Sequence, residues 1–177
     1  MAAFPELHVS ISYTTRPIRP GETDGGDYQF VSTEVFQQMI NEGAFAEWAK
    51  VHDNYYGTTL AALDQASRTG SDILLDIDCQ GAAQLKTSLD NGVFIFILPP
   101  GFDELKRRLE GRNTDAADVV QRRIENARKE VLEAEWYDYI VVNDNFDFAL
   151  DQLKAILQSV PCRTGVALPT VQDIIKS

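Results

Sequence analysis

Three short runs, Ile73-Leu74-Leu75-Asp76-Ile77, Val93-Phe94-Ile95-Phe96-Ile97-Leu98 and Tyr139-Ile140-Val141-Val142, are apolar at consecutive positions rather than at alternate ones. A strand of that kind has both faces covered, which calls for helices on either side and favours parallel pairing. Helical segments alternate with these runs, over Ala82–Leu89, Phe102–Leu109, Ala116–Glu135 and Phe148–Gln158. The pattern therefore specifies an α/β fold, a parallel sheet flanked by helices. The longest segment places Val120, Ile124, Ala127, Val131 and Ala134 on one stripe behind Asp115 as a predicted cap, and its other face is charged.

A chain of 177 residues fits one domain with room for a small inserted lobe. Its net charge of −11 argues against a nucleic-acid binder, which needs basic surface to displace counterions. A small anion is still admissible where arginines concentrate, at Arg16 and Arg19 and again from Arg107 to Arg128. No window approaches the ~18 consecutive apolar residues of a membrane span and no basic-then-apolar leader opens the chain, so the expected location is the cytoplasm, away from membranes. Cys79 and Cys162 form no CxxC pair; both are expected as free thiols, with no metal site.

Ahead of the alternating pattern, Leu7, Val9 and Ile11 suggest a strand, and Ser12 to Phe30 a shaped loop. Arg16 and Arg19 are each followed by a proline, so their guanidinium forks leave a stiff stem suited to a phosphate or carboxylate. The hydroxyls of Ser12, Thr14, Thr15 and Tyr28 would complete the oxygens of one terminal phosphate. From spacing alone, a solvated proline-rich loop fits equally well. Ser32-Thr33-Glu34 then opens a helix with Val35, Phe36, Met39 and Ile40 on one face. Phe45, Trp48 and Val51 suggest a strand, Asn54-Tyr55-Tyr56-Gly57 a turn, and Thr58 or Thr59 the cap of a further helix. Residues 28–58 thus form a predicted β-rich lobe. Asp76 and Asp78 fall beyond the carboxyl end of a strand, where open α/β sheets gather ligands, although a single carboxylate there commonly just caps the next helix. From Pro161 onward no period is visible, and Pro161, Gly165 and Pro169 argue against a continuing helix.

The loop from Ser12 to Phe30 resembles the nucleoside-monophosphate loop of guanylate kinases. The resemblance continues in order through Glu47-Trp48-Ala49, Asn54-Tyr55-Tyr56-Gly57-Thr58, Leu75-Asp76-Ile77-Asp78-Cys79-Gln80-Gly81, Ile97-Leu98-Pro99-Pro100, Arg108-Leu109-Glu110-Gly111-Arg112 and Val142-Asn143-Asp144. It implies a nucleoside monophosphate kinase of the P-loop NTP hydrolase-like type. The implied layout is a guanylate kinase-like domain over 1–160, a GMP-binding lobe at about 28–58, a helical lid at about 108–124, and a tail over 161–177. The implied reaction moves the γ-phosphoryl of ATP, as its Mg²⁺ complex, to GMP. Ser12, Glu47, Thr58 and Asp78 would hold the base, and Arg16, Arg19, Tyr28 and Tyr56 the GMP phosphate. Asp76 would lie on the metal side. Arg108, Arg112 and Arg123 would fold over the phosphates, and Asn143 would face the adenine. Arg107, Arg122 and Arg128 read instead as solvated helix-face charges.

Family members also carry, before the segment equivalent to Leu7, a central strand and a P-loop ending in Gly-Lys-Ser/Thr. No Gly-x4-Gly-Lys run occurs in these 177 residues. The expectation is an N-terminally incomplete guanylate kinase with its first central strand absent and its turnover impaired. The alternatives are a guanylate kinase-like binding module that grips a phosphorylated partner in the GMP pocket, or a fragment that does not fold. Oligomeric state is not legible.

Overall fold

The computed structural model describes residues 4–89, 91–111 and 117–176. They fall into two compact units, Met1–Asp90 and Asn91–Ser177. The expected α/β character holds in both, with parallel ladders and helices in sequence.

In the first unit β1 (Leu7–Val9) runs parallel to β6, with His8 opposite Ile73. Strand β6 covers Asp72–Leu74 rather than the expected Ile73–Ile77. Its partner ends at Val9, and one further bond from the Ser10 N–H to the Leu74 carbonyl, 2.9 Å, completes the ladder. Asp76 therefore lies past the strand, on the approach to α3 (Cys79–Ser88).

Inserted between β1 and β6 is a four-stranded sheet in the order β3-β2-β5-β4, built from β2 (Tyr13–Thr14), β3 (Gln29–Phe30), β4 (Phe45–Val51) and β5 (Asn54–Thr59). The lobe thus takes in residues before 28. Helix α1 (Thr33–Asn41) is capped by Ser32, whose hydroxyl accepts from the Val35 N–H. Phe36 on that helix is fully buried and stacks on Phe45 at 4.4 Å and Tyr55 at 5.4 Å, which fastens helix to sheet. Thr59 caps α2 (Leu60–Thr69).

Asn54-Tyr55-Tyr56-Gly57, expected as a turn, is the opening of β5. The turn is His52-Asp53, closed by the Val51–Asn54 pair, with φ of 47° and 73°. Two successive left-handed residues define a type I′ hairpin, whose preferred sequence is Asn-Gly. Nothing in His-Asp announces it. Left-handed geometry costs an L-residue ~1–2 kcal/mol. Replacing His52-Asp53 by Asn-Gly is expected to raise the thermal midpoint by a few degrees. A fall would show that interactions of the His52 and Asp53 side chains outweigh the backbone relief.

In the second unit β7 (Ile95–Leu98) pairs in parallel with β8 (Tyr139–Val142), and α4 (Phe102–Gly111), α5 (Ala117–Glu130) and α6 (Phe146–Ser159) surround the pair in sequence. Leu109, Val120 and Ile124 form a buried cluster joined by Leu105. The stripe expected to Glu135 is helical to Glu130 and then tightens into a 3-10 segment, Val131–Trp136. There Trp136 stacks on Tyr137 at 3.9 Å and meets Phe94 edge-on at 5.9 Å. Asp115 lies outside the described residues.

The tail departs most from expectation. Helix α6 does stop before Pro161, but after a 3-10 turn at Val160–Cys162 a new helix, α7 (Thr164–Lys176), begins. Val166, Leu168, Ile174 and Ile175 on it are exposed, so these apolar positions imprint no core-facing period on the sequence. Cys79 and Cys162 form no disulfide. Among the described residues no helix is long and apolar enough to cross a membrane.

Candidate active site

Register places Glu47 on β4 directly across from Thr58 on β5. Ser12, just before β2, brings its hydroxyl within 3.3 Å of the Thr58 hydroxyl. All three residues are buried, Glu47 to 3% exposure. Asp78 caps α3 by accepting the Gly81 N–H at 3.0 Å, and Gln80 donates to its other oxygen at 3.1 Å. Burial pushes the Glu47 carboxyl above the usual range; hydrogen bonds from Thr58 pull the other way, and the Asp78 charge adds to the rise. One carboxylate oxygen, Glu47 Oε1, is buried with no hydrogen-bond partner among the described residues. Buried polar atoms are nearly always satisfied, so an orphan acceptor of this kind marks where a donor belongs.

The arginine loop is held by a carboxylate within itself. Arg16 Nη1 and Nη2 donate to Glu22 at 3.0 and 2.8 Å, and Glu22 also accepts the Arg19 N–H at 2.8 Å. The Arg16 guanidinium lies 5.5 Å from the Tyr28 ring centroid and 5.6 Å from that of Phe30, and Tyr28 meets Tyr56 edge-on at 6.0 Å. The hydrogen bonds that Arg16 donates to Glu22 raise its pKa further, despite partial burial. Burial raises the Tyr28 hydroxyl as well, with the Asp76 charge second, so Asp76 acts electrostatically on this end of the cluster.

The first unit thus gathers Ser12, Glu47, Thr58 and Asp78 in one cluster, and Arg16, Tyr28 and Tyr56 in another, with the Arg19 backbone held by the same Glu22 as Arg16. Two hydroxyls expected at the phosphate are engaged elsewhere. Thr14 donates to the Tyr55 carbonyl at 3.0 Å and accepts the Arg16 N–H at 3.1 Å, while Thr15 accepts the Tyr55 N–H at 2.9 Å. They tie the loop to β5 and so set where Arg16 starts.

In the second unit Arg108 donates to Glu104 at 2.6 Å and to the Asn143 carbonyl at 2.9 Å. The Asn143 N–H in turn donates to the Leu98 carbonyl at 2.6 Å, so the end of β7 fixes it. Hydrogen bonds from Arg107 and Arg108 hold the Glu104 carboxyl down to about 2. Arg123 is half-buried on α5. Arg112 lies outside the described residues. Arg107 and Arg122 pair with Glu104 and Asp118 on their own helices, and Arg128 packs 4.3 Å from the Phe102 centroid.

A family model described as guanylate kinase matches residues 3–160. A guanylate kinase of Syntrophotalea carbinolica is 59% identical over 162 residues, covering 92% of this chain and 77% of that protein. The chain belongs to the guanylate kinase family. A second member, from Geobacter metallireducens, is 51% identical over 96% of this chain and 84% of its own. The solved guanylate kinase of Anaplasma phagocytophilum superposes with a TM-score of 0.75 at 34% identity, covering 87% of this chain and 76% of that one. The chain also carries residues that its sequence did not single out. Glu22 could have been found by asking which carboxylate within the loop answers two arginines. Gln84 left no such sign: it donates to the Trp48 carbonyl at 2.8 Å and accepts the Trp48 N–H at 3.2 Å, bracing β4 beside Glu47.

Proposed function

We propose that the protein transfers the γ-phosphoryl group of ATP to GMP, giving ADP and GDP, and that the first unit holds the acceptor. The observation that carries this is the unpartnered, buried Glu47 Oε1 beside Asp78. The guanine edge offers a ring N–H and an amino group, two donors for two carboxylates. Adenine would set a ring nitrogen lone pair against one of them, at ~1–3 kcal/mol per unsatisfied group. Ser12 and Thr58 close the base end. Arg16, Arg19, Tyr28 and Tyr56 take the phosphate, whose oxygens match guanidinium forks and hydroxyls.

Arg108, Arg112 and Arg123 are assigned to the transferring phosphoryl group, whose charge arginines offset, and Asn143 to the adenine of the donor. Mg²⁺ enters with ATP. Among the described residues no three His, Cys, Asp or Glu side chains cluster to hold an ion. Mg²⁺ keeps most of its water and is usually carried by substrate phosphates with one or two carboxylates, and Asp76 is the carboxylate assigned toward it. The ion supplies charge neutralisation when bound. A phosphopeptide-binding module would use the arginine loop but leave Glu47 Oε1 unsatisfied, so the nucleotide reading is preferred.

None of the 177 residues forms a Gly-x4-Gly-Lys nest for the donor phosphates. We therefore expect these residues alone to form ADP from ATP far more slowly than the ~10 s⁻¹ typical of enzymes, and only with GMP. ADP formation measured with GMP or AMP as acceptor tests both parts. Ordinary rates would overturn the expected impairment, and equal rates with AMP would overturn the acceptor assignment.

A further inference from the structure

Gly81 sits on the first turn of α3, and its missing side chain has a specific neighbour. A Cβ built there would overlap Glu47 Oε2, lie 3.0 Å from Glu47 Cδ and 3.4 Å from Asp78 Oδ1. Gly81 is buried, its backbone is in ordinary helical geometry, and its N–H donates to Asp78 Oδ1 at 3.0 Å. Neither a left-handed backbone nor a turn requires glycine at this position. What requires it is space: one residue supplies the hydrogen bond that orients the first carboxylate and the gap into which the second fits. Two acids on different elements, a strand and a helix cap, are thereby held together at a helix N-terminus whose dipole favours their charge.

We propose that Gly81 is a positioning residue for base recognition: it sets the spacing of the Glu47 and Asp78 carboxylates and so the discrimination of guanine from purines that lack its amino group. This rests on the acceptor reading given above. Any side chain at 81 drives the Glu47 carboxylate off the helix end, while Arg16, held by Glu22, Tyr28 and Phe30, stays as it is. The effect should appear in the choice between bases and leave phosphate recognition unaltered. A glycine that merely permits packing would show the reverse, with all ligands weakened together.

The test is equilibrium binding of GMP, IMP, AMP and inorganic phosphate to the full chain and to Gly81→Ala, alongside thermal unfolding. IMP keeps the ring N–H of guanine and lacks the amino group. The wild-type chain is expected to prefer GMP over IMP and AMP. Gly81→Ala is expected to lose about 10- to 100-fold for GMP, the equivalent of one charge-assisted hydrogen bond, with IMP approaching GMP and phosphate unchanged. GMP binding to Gly81→Ala as tightly as to wild type, or equal losses for GMP and phosphate, would overturn the inference. If the wild-type chain itself shows no preference for GMP, the acceptor reading fails instead. Should Gly81→Ala not fold, Gly81→Ala with Glu47→Asp supplies the answer, because the shorter acid retreats from the added methyl. That pair is expected to fold and bind GMP as Glu47→Asp alone does; a pair that is weaker still would count against the proposal.

Discussion

Glu47→Ala is expected to weaken GMP about 100-fold and to leave inorganic phosphate unaffected. The removed carboxylate would receive donors from guanine in a buried setting, where charged hydrogen bonds contribute ~1.5–3 kcal/mol each. The same residue sets a pH dependence. Burial raises its carboxyl above the ordinary value of 4.5 in the folded state, so folding takes up a proton there. The unliganded fold is accordingly favoured on the acid side and loses that contribution as pH rises from the unfolded value through the folded one. On the proposed assignment GMP acts in the opposite sense, because it would bind the ionised form. Its affinity is expected to decline as pH falls through the raised value, at a pH above that of an exposed glutamate. Glu47→Gln is expected to abolish this decline and to stabilise the empty protein. Titrations of GMP and phosphate across the acid range check both, and equal losses of the two ligands in Glu47→Ala would mean that Glu47 does not read the base.

Arg16→Ala is the other large effect, about 100- to 1,000-fold on GMP and on phosphate alike, with guanosine spared. Truncating one member of a desolvated charge pair costs ~2–5 kcal/mol, and Arg16 lies against two aromatic rings with its side chain only 11% exposed. Arg16→Lys should recover little. A lysine keeps the charge but lacks the fork that satisfies Glu22 with two parallel bonds. Binding of GMP, phosphate and guanosine to the two variants separates fork from charge. Full recovery in Arg16→Lys would reduce the loop to a diffuse positive field.

The parts legible in the sequence are those where burial imprints a period or a chemical need restricts the residue type. Consecutive apolar runs revealed β7 and β8, and the ordered fragments around Arg16, Glu47 and Asp78 named a family before any coordinates did. Where physics acts through backbone conformation, no letter carried it. His52-Asp53 forms a I′ turn without glycine or asparagine, so Asn54-Tyr55-Tyr56-Gly57 was misplaced as the turn. Strand β6 ends where its partner ends, a tertiary fact that the apolar run to Ile77 conceals. Helix α7 exposes Val166, Leu168, Ile174 and Ile175, so no core-facing stripe announces it. At the site itself, Thr14 and Thr15 read as phosphate hydroxyls because hydroxyls near arginines are ambiguous; in the structure both bond the backbone of Tyr55. Gly81 was visible only as the last letter of a fragment, since a glycine kept for space looks like any other.

The central claim is that the first unit is a folded acceptor site selective for GMP. Thermal unfolding of the 177-residue chain with and without millimolar GMP, with AMP as control, tests it most directly, since a ligand that binds only the folded state stabilises it by RT ln(1 + [L]/Kd). The account predicts a cooperative transition whose midpoint rises with GMP and does not move with AMP. A transition that AMP raises equally, or none that GMP affects, would contradict it.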